Sequence, residues 1–176
     1  MMSAGLSSQA CTAIALEYDS ETGGMCEINT TSTLPSDWEG SYSPAEGWSG
    51  TYDDPPGHGC TTADIHVSPC GLFVYSTNRV TDGEGSVVIF AVDKATGALA
   101  LVGHVKSGGM TPRNMKIHPN GGFILVANQD SDNIVVFKVD RASGELECVG
   151  APITGMKQPV CIQFVPRVVG VATAAL

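Results

Sequence analysis

The sequence is short of charge, of basic residues above all, and of aromatics. Only 15% of its 176 residues are Asp, Glu, Lys or Arg, and 6% are Phe, Trp or Tyr, where an average soluble domain is about 25% charged. Nine Lys and Arg stand against 18 Asp and Glu, a net charge of −9. That balance repels phosphate backbones and excludes general nucleic-acid binding, but a local cationic site for a small anion stays open. No stretch approaches the roughly 18 consecutive apolar residues of a membrane helix. The first residues show neither a basic start nor an apolar run, so no secretory signal is visible and a reducing, cytoplasmic setting is expected. The six cysteines, Cys11, Cys26, Cys60, Cys70, Cys148 and Cys161, form no CxxC pair and have no His at zinc-ligand spacing. They read as small buried hydrophobes.

What the chain does have is turn chemistry. Gly and Pro together make up about 18%, above an average near 12%, and with 43% apolar residues they point to strands joined by tight turns rather than to helices or disorder. The length suits one domain.

The strands repeat. Ile65 to Arg79 (IHVSPCGLFVYSTNR) aligns with Ile117 to Gln129 (IHPNGGFILVANQ), setting Pro69 on Pro119, Phe73 on Phe123 and Asn78 on Asn128, an offset of 50. Val87 to Leu99 (VVIFAVDKATGAL) aligns with Ile134 to Leu146 (IVVFKVDRASGEL) at an offset of 47. Ile14 to Met25 repeats the second half, and Pro159 to Pro166 (PVCIQFVP) begins another first half. Each full unit reads as four strands, A (Asp64 to Ser68), B (Leu72 to Asn78), C (Ser86 to Asp93) and D (Ala98 to Val105), which is the signature of propeller blades. The DxxTG and DxxSG segments between C and D lack the ligand spacing of a calcium loop and are assigned to hairpin turns, with the acidic residue capping the backbone and Gly at positive φ. The same holds for Gln129 to Asn133.

Between Thr33 and Thr62 the pattern breaks into a long Gly/Pro/Ser/Asp-rich surface loop. Its aromatics, Trp38, Tyr42, Trp48 and Tyr52, are read as pinning the loop to its own domain in preference to forming a ligand lid. His58 is assigned no role, and the apolar tail from Val168 to Leu176 has none that can be named.

The segments TTADIHVSPCGLFVYSTNR, GGMTPRNMKIHPNGGFILVANQDSDNIVVFKVD and QPVCIQFVP resemble the lactonase family of seven-bladed β-propellers, which includes bacterial-type 6-phosphogluconolactonase and the fungal carboxymuconate cyclase. The resemblance covers most of residues 10–166, with 167–176 a tail. It implies an all-β fold of four-stranded antiparallel blades. At roughly 48 residues per blade this length holds an incomplete propeller: the outer strands of one blade, two full blades, and an A-like strand that in the family closes the ring. Exposed edges would be covered by self-association or by further blades; an incomplete gene model explains the missing part equally simply.

Because A and B are antiparallel, the start of A and the end of B share a rim. That groups Asp64 and Arg113 with Asn78, Arg79, Asn128 and Gln129. Two arginines on one rim make an anion site, able to grip phosphate or carboxylate and to stabilise an oxyanion, although each would serve equally as an ion pair or carbonyl clamp at a blade end. By resemblance Arg79 is the catalytic arginine; from their place on the rim Arg113 comes second, as a substrate-binding residue, and Asn128 and Gln129 supply neutral hydrogen bonds, while His66, two residues into strand A, is a substrate-site candidate that could act as a base but reads more readily as a core histidine. His118 belongs to a turn. The family's glutamate at the end of the preceding B strand aligns with Gly5. The expected function is lactone hydrolysis in carbohydrate metabolism, 6-phosphogluconolactone of the pentose phosphate pathway foremost, without metal or organic cofactor. The alternatives are a muconate-type cyclase or a non-catalytic propeller fragment serving protein interaction.

Overall fold

In a computed structural model of the chain, residues 2–7, 11–37, 60–80 and 83–166 are described. The loop aromatics, His58 and the tail lie outside them. Among the described residues twelve strands form three antiparallel sheets. The first sheet runs β1 (Met2–Ser7), β2 (Thr12–Tyr18), β3 (Met25–Ser32); the second runs β4 (Cys60–Val67), β5 (Phe73–Val80), β6 (Ser86–Val92), β7 (Leu99–Lys106). The third has β8 (Pro112–Ile117), β9 (Phe123–Asn128) and β10 (Asn133–Val139), and its outer edge is shared by β11 (Leu146–Cys148) and β12 (Ile153–Thr154). Strands A to D of the repeat are thus β4 to β7, with A starting at Cys60, inside the stretch expected to be loop.

The sheets stack face to face. β4 lies against β1, β8 against β4 and β5, and on the outside β7 against β2 and β3. Consequently the second sheet is covered on both sides, and Phe73 to Asn78 of β5 are all buried with no polar alternation. On one side Phe73, Tyr75, Val87 and Ile89 pack with Met115, Ile124, Val126 and Phe137 of the third sheet. On the other, Val74, Val88 and Phe90 meet Ala13 and Ala15 of the first.

The hairpins explain the repeated acidic residues. Asp93 Oδ1 accepts from Ala95 N at 2.9 Å and Thr96 N at 2.8 Å, Asp140 Oδ1 from Ala142 N at 2.8 Å, and Asp19 Oδ1 from Glu21 N at 2.9 Å. Gly97, Gly144 and Gly23 take φ of 77°, 79° and 74° in the same turns, a conformation that only Gly adopts without penalty. Gly144 does more: a Cβ there would sit 2.4 Å from the Phe73 ring, and its carbonyl accepts from Tyr75 Oη at 3.0 Å. A turn of the third sheet therefore seals the core of the second.

Two expectations change. The segment from Pro159 to Pro166 is not a strand, because among the described residues no backbone ladder runs beside it. It is held by Ile162 N donating to Asn114 Oδ1 at 2.7 Å and by Phe164 edge-on to His118 at 4.8 Å. The cysteines also differ from expectation, since only Cys11 is buried; Cys60 is half-buried and the other four are exposed.

Candidate functional site at the bulged rim

The rim predicted from antiparallel pairing exists in both full sheets. Thr61 pairs with Arg79 and Thr62 with Asn78 in the second sheet, and Pro112 pairs with Asn128 in the third. In each the inner strand carries a register shift at the same place, between Thr62 and Ile65 and between Pro112 and Asn114. A bulge adds a residue to one strand and re-aims its side chains. Here the re-aimed residues include Asp64 and Arg113.

Arg113 is exposed, and its Nη1 donates to Gln129 Oε1 at 3.1 Å; Gln129 belongs to a single 3₁₀ turn, Gln129–Ser131, that follows β9. These two expected site residues are brought together. Arg79 is half-buried, and its Nη2 donates to the Thr62 carbonyl at 3.2 Å, which is the carbonyl clamp. Its positive charge also reaches the thiols of Cys11 and Cys60.

Asn128 is placed differently from the others. It is fully buried, and its Nδ2 donates to Ser107 O at 3.0 Å and to Asn133 Oδ1 at 2.9 Å. Asn78 does the same work one sheet earlier, donating to Thr33 O at 2.6 Å. The two asparagines tie the end of each B strand to the residue that follows the preceding sheet's outer strand. Asn128 thus shapes the rim from beneath instead of lining it.

His66 is not enclosed as a core histidine would be, since 27% of its side chain is exposed. Its Nε2 lies 3.2 Å from Asp64 Oδ2. Asp64 is the residue that sequence reasoning left without a role, and it is the most connected group of the rim. Its Oδ2 also accepts from Asn114 Nδ2 at 2.7 Å and from Met115 N at 2.9 Å, and Oδ1 from Ile65 N at 2.9 Å. Burial pushes the Asp64 carboxyl up, but the hydrogen bonds from His66, Met115 and Ile65 and the charge of His66 outweigh it and hold the group below the usual carboxylate range. The pattern recurs: as Met115 N donates to Asp64, Ile162 N donates to Asn114 at 2.7 Å. The readable signal was Asp64 and His66 two apart on one strand, on one face of the sheet.

Gly5 lies within β1 opposite Ile14, two residues before that strand's last pair, Ser7 with Thr12. The position ending this B strand is therefore later than Gly5, and no acidic residue occupies the described end of it. No group of three or more metal-ligating side chains occurs among the described residues, nor any helix there long and apolar enough to cross a membrane. An open cleft of about 460 Å³ lies on the β2–β3 hairpin among Glu17, Asp19 and Glu21; its acidic lining is unsuited to an anion, and the hairpin is at the opposite end of β2 from the Cys11 turn.

A 6-phosphogluconolactonase of Bacillus subtilis is 32% identical over 155 residues, 88% of this chain and 38% of that protein. One from Formosa agariphila is 53% identical over 73 residues, 42% of this chain and 20% of its own. Among solved structures, a candidate 6-phosphogluconolactonase from Bacteroides fragilis superposes with a TM-score of 0.74 at 31% identity, over 94% of this chain and 39% of that one. The chain thus spans well under half the length of these relatives. The family model for lactonase, 7-bladed β-propeller, matches residues 8–164, and with three stacked sheets repeating its blade the chain belongs to that family.

Proposed function

We propose that this chain carries part of the active rim of a lactone hydrolase acting on an anionic sugar lactone, 6-phosphogluconolactone or a close relative, in the cytoplasmic oxidative branch of sugar metabolism. What supports the reading is the bulged rim, where Arg79 ends β5 and the Arg113–Gln129 pair stands at the corresponding edge of the next sheet, with Asp64 in the bulge between them holding His66 further along β4.

In this reading Arg113 and Gln129 bind the substrate's anionic and hydroxyl groups, and Arg79 stabilises the oxyanion that forms when water attacks the ring carbonyl. His66 takes the proton of that water. Because Nε2 faces Asp64, the free acceptor is Nδ1, and Asp64 fixes that tautomer as the carboxylate of a His–Asp pair does. When the intermediate collapses, the ring C–O bond breaks and the departing alkoxide recovers the proton from His66. Asn128 enters as a positioning residue that holds the rim through Ser107. A binding-only role is the second reading, favoured by the lack of an acidic residue at the described end of β1.

The test is hydrolysis of freshly generated 6-phosphogluconolactone above its spontaneous rate. Arg79→Ala is expected to lower kcat by roughly 100- to 1,000-fold, the range seen for losing an oxyanion donor, and His66→Gln by about 100-fold or more, as for a general base. Arg113→Ala should mainly raise KM. Unaltered turnover in Arg79→Ala would remove the catalytic assignment, and a wild-type rate equal to background would leave the binding role.

A further inference from the structure

The hydrolytic reading makes no use of the two thiols that meet beside Arg79. Cys11 occupies the β1–β2 turn of the first sheet, fully buried and at a φ of 44°, a left-handed conformation that a non-glycine residue holds only where its surroundings fix it. Its Sγ donates to the carbonyl oxygen of Cys60 at 2.9 Å. Cys60 opens β4 of the second sheet opposite Val80, one step from the Thr61–Arg79 pair. The contact therefore crosses from one sheet to the next, between residues 49 apart in sequence, and places the Cys11 sulfur against the Cys60 backbone. No other pair among the four exposed cysteines makes such a contact in the described residues.

The electrostatics set the two thiols apart. The interaction between the two side-chain thiols draws Cys11 down, with the Arg79 charge adding to it against the effect of burial. That thiol–thiol interaction and burial push the Cys60 thiol up. Of the two, the Cys11 thiol beside the guanidinium gives up its proton the more readily, the property that makes a cysteine reactive toward oxidants.

We propose that Cys11 and Cys60 are an oxidant-responsive pair that closes to a disulfide, stapling the first sheet to the second next to Arg79. With hydrogen peroxide as oxidant the chemistry balances. The thiolate attacks one peroxide oxygen, the O–O bond breaks, and a sulfenic acid forms with hydroxide as leaving group, which is protonated to water. The second thiol then attacks that sulfur, the S–O bond breaks, and the leaving hydroxide takes up the thiol proton as a second water. Two thiols and one peroxide give one disulfide and two waters. In a reducing compartment such a bond is transient and reports oxidant level.

The test treats the folded chain with a small excess of hydrogen peroxide, alkylates remaining thiols, and maps peptides without reduction. The expected product is a crosslinked peptide pair containing Cys11 and Cys60, with four of the six thiols still alkylated and all six restored by dithiothreitol. A variant with Cys26, Cys70, Cys148 and Cys161 changed to Ser is expected to lose both remaining thiols as a monomer. The proposal is overturned if Cys11 and Cys60 stay alkylatable while exposed cysteines oxidise, if they link only to other cysteines, or if the two-cysteine variant crosslinks only between chains. Peptide mapping of the unmodified chain decides the matter where that variant does not fold.

Discussion

The junction between the first and second sheets and the junction between the second and third use one plan with different contents. Both are latched by a buried Asn at the end of a B strand, Asn78 onto Thr33 and Asn128 onto Ser107. The latch spans 45 residues in the first case and 21 in the second, so the same latch closes over chain segments of quite different length, as the slow growth of closure entropy with length allows. The cores differ in kind. Aromatics fill the second junction, whereas the first closes on Ala13 and Ala15 against Val88 and Phe90. At the inner edge the second junction has Asp64 clasping Asn114 and Met115, and the first has the Cys11–Cys60 contact. Repeated features hold the fold, and the places where the repeats diverge are where reactive groups collect.

The largest test of that contrast is packing. Phe137 is 1% exposed in the second junction, and Phe137→Ala should cost about 3–5 kcal/mol by transfer and cavity. Val88 is fully buried in the first, and Val88→Ala removes two methyl groups, about 2 kcal/mol. Urea denaturation of both variants measures the difference; equal losses would mean that the Ala-lined junction is as tightly packed as the aromatic one.

A smaller effect should separate the two latches. Asn128→Ala leaves the Ser107 carbonyl and Asn133 Oδ1 without that donor, a loss of roughly 2 kcal/mol or somewhat more, taking each of the two at the low end of about 1–3 kcal/mol per buried group deprived of its partner. Asn78→Ala leaves the Thr33 carbonyl with a second donor, His104 Nε2 at 2.8 Å, and should cost about 1 kcal/mol. In both variants a buried Oδ1 that has no partner among the described residues is also removed, so this contribution drops out of the comparison. Reversal of the order, read from denaturation midpoints, would show that His104 is not a substitute.

The blade pattern was legible because its signals are local. Pro69, Gly71 and Phe73 recur at Pro119, Gly121 and Phe123, and the Asp–Gly hairpins state their own turn type. The pairing of rims followed from antiparallel geometry alone, and with it the meeting of Arg113 and Gln129. What was not legible depends on contacts between sheets. Asn78 and Asn128 look like rim donors in sequence, and only the position of Thr33 and Ser107 shows them turned inward. Asn114 and Met115 could not be read as partners of Asp64 because they lie 50 and 51 residues away on the next sheet, whereas His66 stands two residues from it. The start of β4 at Cys60 was hidden for the same reason, its strand character coming from pairing with Val80 and not from its own residues. The Pro159 to Pro166 segment errs in the other direction: it has the composition of a strand, but composition supplies no ladder partner.

The finest distinction between neighbouring repeats lies in one atom, the carboxylate oxygen of Asp64 where the next sheet has the amide oxygen of Asn114. Both accept a backbone N–H from the repeat that follows, Met115 N of β8 at 2.9 Å and Ile162 N of the unpaired segment at 2.7 Å, so Asp64→Asn preserves an acceptor for Met115 and removes the charge. Since the folded-state pKa of Asp64 is depressed, its contribution to stability is present above the ordinary Asp value, near 3.9, and is lost as pH falls through the lower folded value. The wild-type chain should therefore lose stability on acidification below about pH 4, and Asp64→Asn should lose less over the same interval. Denaturation midpoints measured across pH 2–7 would show this as a shallower acid limb. An unchanged limb would mean that the carboxylate holds the second junction no better than its neutral counterpart does, and that the charge at this position is there to orient His66.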